Sequence, residues 1–253
     1  MKNLLEKIAY SPNSLKELTK LQLDQLASEI RETIIETVSK NGGHLASNLG
    51  MVEITIALHY LLHIPPDKIL FDVGHQAYAH KILTGRYQLF NTLRQYKGIS
   101  GFPNAEESQT DIFTTGHAGT AISAGMGIQT VQQTKKNPAK TVVIIGDGSL
   151  TNGVTFEGLN NLGVSKKNLL IILNDNNFSI SKTRGALSYY LTKLITMPAL
   201  TKSKEEIKEM IEKMPGGDQI IRVGKNIEQK TRYFVTPGVF FEKLGIQYFG
   251  PID

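Results

Sequence analysis

The chain has 253 residues, of which 40% are hydrophobic and 20% are charged, a balance typical of globular proteins that excludes collagen-like, coiled-coil and disordered classes. It contains no cysteine, which excludes disulfides, thiolate metal sites and a cysteine nucleophile. The net charge of +5 is mild and scattered, so it favours a nucleic acid partner no more than a small anionic ligand.

Helical spacing of apolar residues dominates the first half of the chain. It predicts helices over residues 23–40, 51–62 and 117–133, the last rich in Ala and Gly and therefore tightly packed. Residues 69–73 (ILFDV) predict a short strand that ends at Gly74. The order of elements mixes helices with a strand, which is typical of an α/β protein.

Two nearly continuous apolar runs, 141–145 and 169–173, are typical of central parallel strands. The stretch between them, 149–162, is predicted to be helical, so 141–173 forms a strand–helix–strand unit. Such a unit implies a parallel sheet. We therefore expect one α/β domain with a mostly parallel central sheet flanked by helices.

The pattern changes after Gly185, where charged and broken segments replace the buried runs. The remaining predictions are helices over 203–213, 219–229 and 237–244, and a last strand over 245–249.

A polar motif follows each of the two central strands. GDG stands at 146–148 and NDN at 174–176. Because ligands gather outside the carboxyl ends of parallel strands, we expect both motifs to converge on one crevice. Asp147 and Asn176 supply hard oxygen ligands, which suit Mg²⁺ completed by a backbone carbonyl and phosphate oxygens. Gly148 permits close approach of the backbone to an anion. The pair of motifs therefore predicts a magnesium–phosphate site.

Further phrases of the sequence are distinctive. They are GGHLASNLG (42–50), DVGHQAYAHKILTGR (72–86), SGFPNAEES (100–108), TGHAGTAISAG (115–125) and LNDNNFSIS (173–181). Together with GDG and NDN they resemble the N-terminal, diphosphate-binding domain of the 1-deoxy-D-xylulose-5-phosphate synthase family, within the transketolase superfamily. The resemblance runs from about residue 4 to the last residue. It implies the thiamine-diphosphate-binding fold, with thiamine diphosphate and Mg²⁺ as cofactors.

The resemblance also implies roles for the residues of the two strand-end motifs. Asp147 and Asn176 match the family's Mg²⁺ ligands, and the main-chain carbonyl of Phe178 matches a third. Asn176 is expected to contact the cofactor as well. Gly148 and Ser149 match the pair that contacts the diphosphate.

Histidines that follow glycines match the rest of the family's site. His75 matches a histidine that reaches the cofactor, and His44 matches one that lines the substrate side, so both are expected to be catalytic. Gly116, His117 and Ala118 lie where the family has Gly-His-Ser beside the cofactor. A histidine titrates near neutral pH, which suits proton transfer.

Some positions depart from the family's usual pattern. The phrase GHAGTA (116–121) lacks hydroxyls that the family usually has there, which removes hydrogen bonds to the cofactor. Asn48 and Asn152 stand where smaller residues are commoner, so we expect them to narrow the cavity. His59, His63 and His80 are interpreted as packing or structural residues.

The resemblance implies a transferase that condenses pyruvate with glyceraldehyde 3-phosphate and releases CO2, serving isoprenoid precursor, thiamine and pyridoxal synthesis. We interpret 1–253 as a single diphosphate-binding domain, with 182–235 a variable insert and the family's pyrimidine and C-terminal domains absent. The missing second domain supplies the glutamate that ionises the cofactor, so we expect the chain to be inactive alone. A homodimer or a complementary pyrimidine-domain subunit would complete it. We expect a cytoplasmic protein without nucleic acid or membrane partners.

Other functions stay open at this point. One is a non-catalytic module that binds the cofactor or another protein. Another is one subunit of a split transketolase-type enzyme with a different acceptor. A nucleotide-binding protein is disfavoured, because GxxxxGK[ST] does not occur and the glycine after GDG falls at Gly153, out of register for GxGxxG.

Overall fold

The computed structural model describes residues 4–10, 12–174, 238–250 and 252. The chain divides into two units, one of Met1–Asn161 with Lys167–Ser181, the other of Leu162–Lys166 with Lys182–Asp253. The helices predicted over 203–213 and 219–229, and the insert at 182–235, lie outside the described residues. So do Asn176 and Phe178. The other candidate site residues all lie in the first unit.

Three strands form a parallel sheet in the order β1-β2-β3. They are β1 Lys68–Phe71, β2 Thr141–Gly146 and β3 Leu170–Asn174. Every residue of β2 before Gly146 is buried, as expected for a strand covered on both faces. The strands predicted at 69–73, 141–145 and 169–173 and their parallel pairing are confirmed, although β3 is half-buried to exposed rather than covered on both faces.

Helices precede, connect and follow these strands in the described ranges. They are α1 Leu4–Tyr10, α2 Lys20–Asn41, α3 Leu45–Leu49, α4 Val52–Leu61, α5 Tyr78–Lys81, α6 Ala121–Gln132, α7 Asp147–Leu150, α8 Gly153–Ser165 and α9 Gly238–Lys243. Further helical turns cover Pro12–Glu17, Ile82–Arg86 and Tyr87–Thr92. A capping box of Thr19 and Gln22 begins α2, which satisfies amide groups that the first turn leaves unpaired.

Helices cover both faces of the sheet. On one face, Phe71 and Ile144 belong to a buried apolar cluster with Met51 and Leu58, at and within α4. On the other, α6 lies so close to β2 that a Cβ on Gly125 would fall 2.5 Å from Val143 Cγ2. Only glycine permits that approach. The predicted α/β class with flanking helices is confirmed.

The loop before α6 accounts for one difference from the predicted elements. The helix predicted from His117 begins instead at Ala121. Residues 116–119 form a turn, and the amides of Gly119 and Ala121 are held by the buried Asp72 carboxylate. A side chain distant in sequence therefore sets where this helix starts.

The region after GDG and the end of the chain also differ from prediction. The helix predicted over 149–162 is two helices, α7 and α8, separated at Thr151 and Asn152. The Asn152 side chain accepts the Val154 amide, so it caps α8. The strand predicted over 245–249 is wrong, because the residues after α9 form no strand.

Candidate active site at the carboxyl ends of the strands

The two polar motifs begin side by side at one edge of the sheet. Gly146, the first residue of GDG, pairs with Asn174, the first residue of NDN, in the register of β2 and β3. β1 ends at the same edge, because Phe71 pairs with Ile144. The loop that carries His75 follows β1 directly. The predicted adjacency of GDG and NDN is therefore confirmed at their first residues, Gly146 and Asn174.

The residues that follow β2 combine a carboxylate with open space beside the backbone. Asp147 begins α7 and is half-buried. A Cβ placed on Gly146 or Gly148 would meet nothing within 4 Å. Ser149 is buried. Its carbonyl accepts the Thr155 hydroxyl at 2.7 Å, which fastens α7 to α8.

Of the three predicted Mg²⁺ ligands, one lies within the described residues. Asp147 is described, whereas Asn176 and the Phe178 carbonyl lie beyond the described part of β3. Within the described ranges, no group of three or more histidine and acidic side chains could hold a metal. The predicted set contains one carboxylate, one amide and one carbonyl. Because the amide and the carbonyl belong to residues outside the described ranges, the assignment of the metal site stays a prediction.

His44 and His75 form a ring pair next to this edge. Their centroids lie 5.2 Å apart with the planes at 66°. Phe102 packs edge-on against His44 with centroids 6.0 Å apart. The Nδ1 atoms of both histidines are buried, and neither has a hydrogen-bond partner among the described residues. Two ring nitrogens are thus left for a ligand, a water molecule or a transferred proton.

The surroundings keep both imidazoles in the neutral form. Burial lowers the pKa of His44, and the positive charge of Arg94 lowers it further. Burial also lowers the pKa of His75; His44 adds to that effect, while the Asp72 carboxylate opposes it. A neutral imidazole can accept a proton at one nitrogen and donate from the other. Both are therefore suited to acid–base work at neutral pH.

Residues 116–118 are exposed, and the residues that follow them are held by the buried side chain of Asp72. The Asp72 carboxylate, 1% exposed, accepts the Gly119 amide at 2.9 Å and the Ala121 amide at 3.1 Å. The Asn152 side chain donates to the Ala118 carbonyl at 3.3 Å. A Cβ on Gly116 would meet nothing within 4 Å. His117 is exposed.

Two buried polar residues, Asp72 and Asn48, hold these loops, and the sequence pattern assigns this role to neither. A carboxylate directly after a buried strand, as at Asp72, is a signal that could have indicated it. Asn48 was expected to narrow the cavity. It is instead fully buried, and its side chain bonds the backbones of His44, His75 and Tyr78.

A buried charged network lies beneath the loop that carries Phe102, and sequence reasoning missed it. Arg86 and His80 both contact Asp111, with His80 Nε2 3.3 Å from Asp111 Oδ1. Lys81 donates to Glu107 at 2.6 Å. Burial acts to raise the Asp111 pKa, but hydrogen bonds from His80 and Arg86 hold it well below its usual range. His80, Lys81 and Arg86 are thus structural, as expected for His80, whereas sequence spacing alone gave no role to Lys81 and Arg86.

Sequence comparison identifies relatives of the whole chain. The profile of the 1-deoxy-D-xylulose-5-phosphate synthase family matches residues 5–253. The chain is 49% identical over 253 residues to the 1-deoxy-D-xylulose-5-phosphate synthase of Pelotomaculum thermopropionicum, covering 100% of this chain and 40% of that protein. It is 50% identical over 245 residues to that of Alkaliphilus oremlandii, covering 95% of this chain and 39% of that protein. The chain thus spans about two fifths of the length of these relatives.

Structure comparison agrees on the fold. A crystal structure of a transketolase mutant from Pichia stipitis matches with a TM-score of 0.56 and 24% identity, covering 67% of this chain and 30% of that one. The helices in the described ranges are all too short or too polar to cross a membrane. Fold, strand-end motifs and profile agree, and the chain belongs to the 1-deoxy-D-xylulose-5-phosphate synthase family.

Proposed function

We propose that this chain is the diphosphate- and Mg²⁺-binding part of a thiamine-diphosphate-dependent transferase that condenses pyruvate with glyceraldehyde 3-phosphate and releases CO2. The names of the relatives support the reaction. The observation that carries the proposal is the pairing of Gly146 with Asn174. It brings GDG and NDN together at one edge of a parallel sheet, where such sheets bind their ligands.

The residues present fit the cofactor. The positions beside Gly116, Gly146 and Gly148 are open, so a diphosphate can approach the backbone there. A carboxylate at Asp147 with the amide of Asn176 and the Phe178 carbonyl is an all-oxygen donor set, which suits Mg²⁺. Two buried histidine nitrogens, Nδ1 of His44 and of His75, have no partner among the described residues. When bound, thiamine diphosphate supplies carbanion stabilisation for the decarboxylation of a 2-oxo acid.

Each part of the site then has a distinct task. Asp147, Asn176 and the Phe178 carbonyl hold Mg²⁺, while Gly148, Ser149 and the 116–118 turn with His117 and Ala118 line the diphosphate. His44 and His75, neutral because of their burial, accept or return a proton at Nδ1. Phe102 covers one edge of His44 and keeps water from that side of the ring.

By the family resemblance, other parts of the proposed active site belong to a second domain of the family. The family resemblance assigns the glutamate that ionises the cofactor, and the grip on the acceptor phosphate, to another domain. We propose that a dimer or a pyrimidine-domain subunit supplies them. The chain spans only 40% of its Pelotomaculum relative, in agreement with a division of the site between domains.

Calorimetric titration with thiamine diphosphate, with and without Mg²⁺, tests the binding part of the proposal. We expect Mg²⁺-dependent binding that Asp147→Ala weakens by about a hundredfold or more, the usual consequence of losing a charged, hydrogen-bonded partner. Asp24→Ala is the matched control, because Asp24 is an exposed carboxylate on α2. Full-strength, Mg²⁺-dependent binding by Asp147→Ala would show that the metal assignment is wrong.

The reaction is tested separately by following CO2 release from pyruvate with and without glyceraldehyde 3-phosphate. Release that depends on the phosphorylated acceptor supports the synthase. Equal release with another aldose acceptor favours a related transketolase-type enzyme. Tight binding of the cofactor with no turnover, even when the remaining domains are supplied, favours a non-catalytic module.

A further inference from the structure

Asn48 lies between the two histidine-bearing loops. Its Nδ2 donates to the His44 carbonyl at 2.6 Å and to the His75 carbonyl at 2.7 Å. Its Oδ1 accepts the Tyr78 amide at 2.9 Å. The side chain is 0% exposed. One buried amide therefore bonds the backbones of the same two residues whose rings form the pair.

These bonds join segments that are far apart in sequence. His44 ends the turn after α2, whereas His75 follows β1. Tyr78 adds a second connection, because its hydroxyl accepts the His44 amide at 3.4 Å. A Cβ on Gly43 would lie 2.7 Å from that hydroxyl, so the two loops are also in close steric contact.

The position of the rings depends on these backbone bonds. The Nδ1 atoms of His44 and His75 have no partner among the described residues, so no hydrogen bond at Nδ1 holds either ring. An amide that donates twice and accepts once cannot be replaced by a carboxylate, which has no proton to donate to either carbonyl. The identity of residue 48 therefore controls the spacing of the pair.

We propose that Asn48 is the positioning residue of the active site, setting the distance between His44 and His75 through their carbonyls. This inference rests on the proposed function for its catalytic consequence. Its structural part stands independently, because it concerns the two histidines without cofactor.

The test uses Asn48→Asp in the intact protein, which keeps the size of the side chain and removes both donors. Deuterium exchange at the Cε1 carbon of each histidine, followed by mass spectrometry across pH, reports each ring separately without any cofactor. We expect the pKa values of His44 and His75 to rise together by about half a unit, a roughly threefold change in protonated fraction, as water enters the loosened pair. The uncharged Asn48→Ser should show the same rise, which separates loosening from the charge of the new carboxylate. His117, exposed and not bonded to Asn48, is the internal control for the exchange measurement.

Turnover of pyruvate and glyceraldehyde 3-phosphate, measured with the remaining domains of the family supplied, gives the second readout. We expect kcat to fall by about tenfold or more, since small displacements of catalytic groups have effects of this size, while KM changes little. Thr55→Val is the matched control. It removes the buried 2.7 Å bond from the Thr55 hydroxyl to the Met51 carbonyl on α4, so it lowers stability without contacting the pair.

The outcomes are separable. Unchanged exchange at both histidines, or a change at only one, overturns the inference even if the variant is less stable. Changes at both histidines that Thr55→Val reproduces also overturn it, because they would reflect general loosening. If the Asp variant does not fold, Asn48→Ser, which keeps one donor, takes the same test with the same expectations. Absence of synthase activity in the unmodified protein when the remaining domains are supplied would refute the proposed function and leave the exchange result intact.

Discussion

Arg86 and Asp111 form a buried ion pair, with 2.8 Å between Arg86 Nη2 and Asp111 Oδ1 and a second contact through Nη1. Asp111 also accepts the Asn104 amide at 2.9 Å. The pair thus fastens the loop of residues 100–111 to the helical turn Ile82–Arg86. Because Phe102 of that loop packs on His44, a charged network with no catalytic task supports one wall of the site.

Asp111→Asn should destabilise the protein strongly. The substitution removes the negative charge of Asp111, which balances the positive charge of Arg86 and lies near that of Lys81. Both basic side chains are buried. Breaking one partner of a buried ion pair costs about 3–5 kcal/mol. Urea denaturation gives the free energy of unfolding. The comparison variant is Glu36→Gln, whose ion pair with Lys40 on α2 is exposed and should contribute little. Equal stability of the two variants would contradict this account.

The buried pair His59 and His80 should make stability fall in mild acid. Burial, then repulsion from His80 and Arg86, holds the pKa of His59 well below its ordinary 6.5. Burial likewise lowers the pKa of His80, and Asp111 partly opposes this. Below pH 6.5 the unfolded chain therefore binds more protons than the folded one, and stability falls as pH falls towards the folded pKa values.

Between pH 6.5 and its lowered pKa in the folded state, each such histidine lowers the free energy of unfolding by up to about 1.4 kcal/mol per pH unit. His59→Gln should flatten the decline by about that amount, measured as free energy of unfolding against pH. His63→Gln, at an exposed position after α4, is the matched control. A slope that His59→Gln does not alter would show that His59 is not the proton acceptor.

Gly148→Ala should separate ligand binding from folding. A Cβ at Gly148 meets nothing within 4 Å, so the methyl group projects into the space proposed for the diphosphate. We expect thiamine diphosphate affinity to fall at least about tenfold, while stability is unchanged or rises by about 0.4–1 kcal/mol. Gly127→Ala on α6, equally open, should affect stability alone. Undiminished affinity in Gly148→Ala would place the cofactor elsewhere.

The two ends of β1 offer a matched pair of buried carboxylates. Asp72, after the strand, accepts the amides of Gly119 and Ala121. Asp67, before it, accepts those of His63 and Lys140. Substituting either with Asn turns an amide group towards a donor, which should cost about 1–3 kcal/mol.

Only Asp72→Asn should also weaken cofactor binding, because only Asp72 holds the 116–119 turn. Calorimetric titration and thermal unfolding of both variants distinguish the two effects. A loss of affinity in Asp67→Asn as large as in Asp72→Asn would mean that binding simply follows stability.

Local patterns were sufficient for the strands and for the edge where the site lies. The apolar run at 141–145 is buried on both faces of the sheet, and the run at 169–173 pairs beside it, although it is only half-buried or exposed. Such runs are recognisable without knowledge of the fold. GDG and NDN follow those runs directly, so parallel pairing brings them together whatever the rest of the chain does. The phrases around His44 and His75 likewise identified the family that the comparisons confirm.

Contacts between distant residues decided the rest. Helix α6 begins at Ala121 because the carboxylate of Asp72, which follows β1, accepts the amides of Gly119 and of Ala121 itself. Asn48 bonds two loops rather than narrowing a cavity, and the charges of residues 80–86 turn inward to Asp111 and Glu107. A polar side chain can satisfy its hydrogen bonds with water or with any suitably placed group. Which of these it meets depends on the folded chain around it, because burial removes the water and leaves only the neighbours that folding provides.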